Sequence, residues 1–191
     1  MVGQSIDRRV QRTQAALHRA LISLIPKKGY EALTVEEICA VANVSRSTFY
    51  AHYTGKDDLL RRGFRHLSQA LEERQGDVTS QALGFSRVMF EHAKAHLDQY
   101  RAHVGDRAGA IAHDTVRGML TELVRKEVSG TGRRSKATAS NEVAVRYLVG
   151  AYLAVLTWWL DSGAKMPAEE IDALFRSLAL GGVGQWLRRR A

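Results

Sequence analysis

The chain has 191 residues, enough for one domain or for a small domain joined to a larger one. Hydrophobic residues make up 45% and charged residues 25%, a globular balance that excludes an intrinsically disordered chain. The formal charge of +8 points to a polyanionic partner, nucleic acid or an anionic membrane surface, and the single cysteine, Cys39, excludes an internal disulfide framework and suits a reducing cytoplasm.

The first residues carry no apolar stretch of the kind a secretory signal needs, so a cytoplasmic protein is expected. The longest apolar run, Tyr147 to Leu160, is shorter than the roughly 20 residues of an ordinary membrane span. It is expected to be a buried core helix, with no membrane partner. Only two prolines occur, Pro26 and Pro167, and no segment alternates with period two. An all-α chain follows from this pattern.

The first helix is predicted over Asp7–Lys28, with Val10, Ala16, Leu17, Leu21 and Leu24 forming one stripe and Gly29 ending it. Its first half is basic through Arg8, Arg9, Arg12 and Arg19. Thr34-Val35-Glu36-Glu37 has the form of a capping box and opens a short helix whose apolar face is Ile38, Val41 and Ala42. Asn43 suits the left-handed residue that ends a helix. Ser45 then caps a helix running to about His52. Thr54-Gly55 breaks the chain, and Lys56-Asp57-Asp58 opens a longer helix with acids at its positive end. Gly76 to Ser80 reads as a break before a larger C-terminal domain. Further helices are predicted over Gln81–Leu97, Arg107–Val128, Asn141–Asp161 and Ala168–Leu180, with a flexible loop at Ser129 to Ser135. The expected division is therefore a DNA-binding domain over 1–55, a connecting helix over 56–75 and a second domain over 76–191.

Two short helices around Ala42-Asn43-Val44, with a third before them, have the layout of a helix-turn-helix. Phe49, Val44 and Ile38 would face inward. Arg46, Ser47 and Thr48 would face outward at the start of the second helix, where a groove-reading helix meets base edges.

This stretch resembles the TetR/AcrR family of transcription regulators. The positions that fall in register with the family pattern are Tyr30, Thr34-Val35, Ile38-Cys39, Asn43-Val44-Ser45, Ser47-Thr48, Tyr50, His52-Tyr53, Lys56 and Leu59. Three positions depart from the family pattern: Asn43 stands for the turn glycine, Cys39 for alanine and Ser47 for glycine. The resemblance implies double-stranded palindromic operator DNA as partner. Thr34, Tyr50 and Lys56 would hold phosphates, Arg46, Ser47 and Thr48 would read bases, and Ser45, the cap of that helix, is counted with them among the DNA-binding residues. His52 would touch phosphate or buttress the helix. Arg46 suits a bidentate bond to guanine. Cys39 reads as a small core residue.

The resemblance further implies a C-terminal domain that binds a small-molecule effector and forms a homodimer. Asn141 to Leu160 is apolar nearly all round, and Ile171, Leu174, Phe175, Leu178 and Leu180 form a second stripe. Helices 141–161 and 168–180 from two subunits would make a four-helix bundle. The expected effector pocket is lined by Phe85, Met89, Phe90, His96, Tyr100, Met119, Leu123, Tyr147 and Trp158. His92 and His96 have a chelating spacing, but a third ligand such as His103 or His113 would be needed, so neither metal nor cofactor is expected. The reading is a ligand-released repressor. Its alternatives are a helical DNA-binding protein with no ligand switch and a helical enzyme. The chain has no nucleophile elbow, Walker loop or zinc signature, so enzymatic activity is not expected.

Overall fold

A computed structural model describes residues 2–64, 82–98, 100, 106–129 and 139–188. The expected break at Gly76 to Ser80, residues 65–75 of the connecting helix, nearly all of the loop to Ser135, and His103 lie outside them. Among the described residues the helices are α1 (Val2–Lys28), α2 (Val35–Ala42), α3 (Arg46–His52), α4 (Lys56–Gly63), α5 (Phe85–Ala95), α6 (Arg107–Ser129), α7 (Ala139–Asp161) and α8 (Ala168–Arg188), with no strand. The chain is all-α, as its composition and periodicity require.

Two compact units divide it. One gathers α1 to α4 with the opening of α6 through Thr115. The other gathers α5, α6 from Val116 onward, α7 and α8. The sequence suggested one cut near residue 76. Helical periodicity does not show that the start of α6 packs with the first unit.

The first unit closes on Leu17, Leu21 and Ile25 of α1, Leu33, Ile38 and Cys39, Phe49 and Tyr53, Leu59 and Leu60, and Ala108 and Ile111 of α6. Each fully buried leucine contributes about 1.5–3 kcal/mol. Gly29, at φ 75°, ends α1 and donates to the Ile25 carbonyl at 2.9 Å. Thr34 caps α2: its hydroxyl accepts from the Glu37 amide at 3.3 Å, and the Glu37 carboxylate accepts from the Thr34 amide at 3.0 Å. Asn43 takes the left-handed conformation at φ 52°, ψ 48°. Val41, expected on the apolar face of α2, is instead 55% exposed. With 3.6 residues per turn it points about 110° from the mean direction of Val35, Ile38, Cys39 and Ala42.

In the second unit, α5, α7 and α8 meet through aromatic rings. Phe90 packs against Tyr152 at 4.9 Å, Trp159 at 5.4 Å and Phe175 at 6.4 Å between centroids. Offset and edge-on pairs of this kind add to the burial term. The Trp159 indole donates to the Met166 carbonyl at 3.1 Å and fixes the connection to α8. Gly163 and Ala164 end α7 with positive φ, Ala164 donating back to the Trp159 carbonyl at 2.8 Å. α8 extends past the expected Leu180 and kinks at Gly182, φ 72°.

By length and composition α7 could cross a membrane, so the expectation that its apolar run is too short does not hold for the whole 23-residue helix. Its buried side chains, Val145, Val149, Tyr152, Leu153, Trp159 and Leu160, account for much of its apolar character.

Candidate nucleic-acid interface

The first unit is basic. Through Arg65 the chain carries eleven Lys and Arg against six Asp and Glu. Its α3 is seated by Phe49, which is fully buried, with Tyr53 packed at 5.6 Å and Tyr50 edge-on at 5.3 Å. That anchor turns Arg46, Ser47 and Tyr50 to solvent within an arc of about 100°. Thr34 and Ser45 are also exposed, whereas Thr48, His52 and Lys56 are half-buried.

The front of α3 is an organised set of hydroxyls. Ser45 accepts from the Thr48 amide at 3.2 Å and bonds the hydroxyls of Ser47 at 3.0 Å and Thr48 at 2.8 Å. Ser47, the departure from glycine, thus joins the cap of its own helix. His52 has a ring contact with Tyr53 at 6.4 Å between centroids.

Glu37 links the cap of α2 to the end of α1 through an ion pair with Lys28. The Lys28 bond, aided by the Thr34 amide and hydroxyl, pulls the Glu37 carboxyl down to about 2. Cys39 is buried, and burial pushes its thiol up, which suits an inert core residue.

Lys56, expected at a phosphate, makes bonds within the first unit. Its ammonium donates to the carbonyls of Tyr30 at 2.8 Å, Glu31 at 3.0 Å and Leu33 at 2.9 Å, and stands 4.7 Å from the Tyr30 ring centre. The neighbouring Asp57 accepts from the Tyr30 hydroxyl at 2.5 Å and from Arg107 at 2.7 Å. Sequence reasoning missed this group, because Asp57 looks like an ordinary acid at a helix start and Arg107 is 50 residues away.

In the second unit, Phe85, Met89 and Phe90 are buried, and Met119 and Leu123 are half-buried. Tyr100 donates to Asp161 at 2.9 Å. His96 caps α5, with its ring bonded to the His92 carbonyl at 2.8 Å and 4.2 Å from the His92 ring. No group of three metal-ligating side chains occurs among the described residues. Tyr147 and Trp158, expected in the pocket, are instead 53% and 58% exposed. They share a face of α7 with Val143, Gly150 and Ala154, at helical spacings that repeat every three or four residues. The Tyr152 hydroxyl is buried with no hydrogen-bond partner among the described residues, near Asp172. Asp172 is itself buried and bonded to Ser86.

Residues 17–62 match the family of bacterial regulatory proteins called the tetR family. The match begins at Leu17, where the buried part of α1 also begins. Over 59 residues the chain is 41% identical to the uncharacterized HTH-type transcriptional regulator YxbF of Bacillus subtilis (strain 168), covering 30% of this chain and 16% of that one. It is 30% identical over 83 residues to the uncharacterized HTH-type transcriptional regulator YvkB of the same organism, covering 41% of this chain and 44% of that one. The chain therefore spans less than half the length of the curated relatives it matches. The TetR transcriptional regulator from Streptococcus agalactiae 2603V is similar across 93% of this chain and 98% of its own, with TM-score 0.59 and 26% identity.

Proposed function

We propose, from the match of residues 17–62 to the tetR family of bacterial regulatory proteins, that the chain is a homodimeric transcription regulator that binds palindromic operator DNA and releases it on binding a small molecule. The observation that carries this reading is α3, whose Arg46, Ser47 and Tyr50 stand exposed over a buried Phe49 in a basic unit. Arg46 and Ser47, with Thr48 beside them, face base edges. Thr34 and Tyr50 hold the backbone, Ser45 sets the angle of the helix, and His52 supports it from behind.

Support for the dimer comes from the exposed apolar face of α7. Val143, Tyr147 and Trp158 on α7 and Leu180 on α8 are the large apolar side chains of this unit left facing solvent among the described residues. Glycine and alanine between them allow close approach of a second α7, and a bundle of α7 and α8 from two subunits covers all four.

The effector is proposed to enter among Phe85, Met89, Phe90, His96, Tyr100, Met119 and Leu123. Tyr147 and Trp158 are assigned to the dimer face instead. The Tyr152 hydroxyl, unpartnered among the described residues, offers a hydrogen bond to a polar group of such a ligand. Release follows if the ligand binds better to the state in which the two α3 helices are wrongly spaced.

Genome-wide pull-down with the purified protein tests the core of this proposal. The recovered site should be an inverted repeat with half-sites about 34–36 Å apart. Recovery of no sequence above random duplex overturns it. For the switch, an effector should weaken operator binding in a gel shift while light scattering still reports the dimer.

A further inference from the structure

We infer that Lys56 is a positioning residue, which holds the turn between α1 and α2 in place and does not contact the DNA phosphate backbone. This inference rests on the DNA-binding reading above and assigns Lys56 a role inside the protein.

An ammonium group has three N–H donors and no acceptor. In Lys56 all three are used, on the carbonyls of Tyr30, Glu31 and Leu33. These carbonyls belong to the turn after Gly29, where α1 has ended and α2 has not begun. They have no helical partner of their own and must bond elsewhere. The Tyr30 carbonyl also accepts from the Leu33 amide at 3.2 Å, so Lys56 reinforces a turn that already closes across four residues. Leu33 precedes Thr34, the cap of α2, so fixing its carbonyl fixes where α2 starts.

Tyr30 is gripped from two sides by consecutive residues of α4. The Lys56 cation stands over its ring and the Asp57 carboxylate takes its hydroxyl. To reach a phosphate, the ammonium would have to leave three charge-assisted bonds and the ring face together. The turn it deserted would then lose its lysine donor at all three carbonyls, and of these that of Tyr30 alone has a second donor among the described residues, the Leu33 amide. A lysine on the surface with free donors pays no such cost.

The two roles predict different responses to salt and to arginine. Each phosphate contact contributes about 0.9 to the slope of log affinity against log salt. The test uses the full chain, with Lys56→Met and Lys56→Arg, binding to a random-sequence duplex of fixed length. Under the inference, Lys56→Met leaves the salt slope at the wild-type value. It also lowers the thermal midpoint by roughly 5 °C and speeds amide exchange at residues 31–36. Lys56→Arg keeps the charge but its planar fork cannot converge on three carbonyls, so it shows the same loss of midpoint and protection.

A salt slope lower by about 0.9 in Lys56→Met, or full recovery of binding in Lys56→Arg with exchange unchanged, overturns the inference. If Lys56→Met does not fold, Lys56→Arg decides the matter by the same two readings. If the wild-type chain binds no duplex, the regulatory reading fails, while midpoint and exchange still decide the role of Lys56.

Discussion

Tyr30 and Asp57 are joined by a 2.5 Å hydrogen bond in which the phenol donates and the carboxylate accepts. The bond crosses from the turn after α1 to the first turn of α4. Arg107 donates to the other oxygen of the same carboxylate, so the start of α6 is tied to the same point. Tyr30→Phe keeps the ring under Lys56 and removes only the hydroxyl. The expected cost is about 1–3 kcal/mol, read from chemical denaturation. The Tyr30 bond is also the main force holding the Asp57 carboxyl below its usual range, so the variant should lose less stability than wild type as pH falls. An unchanged denaturation midpoint would show that the hydroxyl contributes nothing.

Glu37 gives a second acid-sensitive contribution. Its carboxyl is pulled from 4.5 down to about 2, first by Lys28 and then by the Thr34 cap. A carboxyl depressed in the folded state stabilises above its unfolded value and loses that contribution as protons bind. The window is therefore pH 4.5 down to about 2. Thermal midpoints measured through that window should fall more steeply in wild type than in Glu37→Gln. Parallel curves would remove Glu37 from the acid response.

Arg46→Ala should relax sequence preference at one position of each half-site, with a loss of about 1–3 kcal/mol in discrimination. Selection from a randomised duplex library reads this directly. If the recovered sites keep the wild-type information content at every position, Arg46 reads no base.

Trp158→Glu places a charge at the C-terminal end of the exposed face of α7. The expected outcome is a folded monomer, seen as a halved mass in sedimentation with helical circular dichroism retained. A dimer of unchanged stability would move the interface to another surface. The same variant should weaken operator binding, because two linked α3 helices bind far better than one.

Much of the first unit was legible because its signals are local. The Thr34 box, the left-handed Asn43 and the Ser45 cap are each decided within four residues, and the structure shows all three. Asn43 reaches φ 52° at a modest cost that glycine would avoid, and its side chain is among the few that tolerate it. What the sequence concealed depends on distant partners. Lys56 reads from sequence as a phosphate ligand, because the carbonyls of Tyr30 and Leu33 that it bonds lie 26 and 23 residues away. Tyr147 and Trp158 are apolar whether they face a pocket or a second subunit. Their assignment needs the orientation of α7, and a helix apolar nearly all round does not declare which side is outward. Val41 was misplaced for a smaller reason: three apolar residues in five define no unique face until Cys39 and Val35 are known to be inside.

The hydroxyls at the front of α3 answer one another before they answer anything outside. On the proposed reading, that leaves one guanidinium, that of Arg46, and a few half-committed oxygens with which to weigh bases. A half-site read in this way carries one heavily weighted letter among lightly weighted neighbours. On that reading, operators could drift at most positions and still be recognised, but not at the position that faces Arg46.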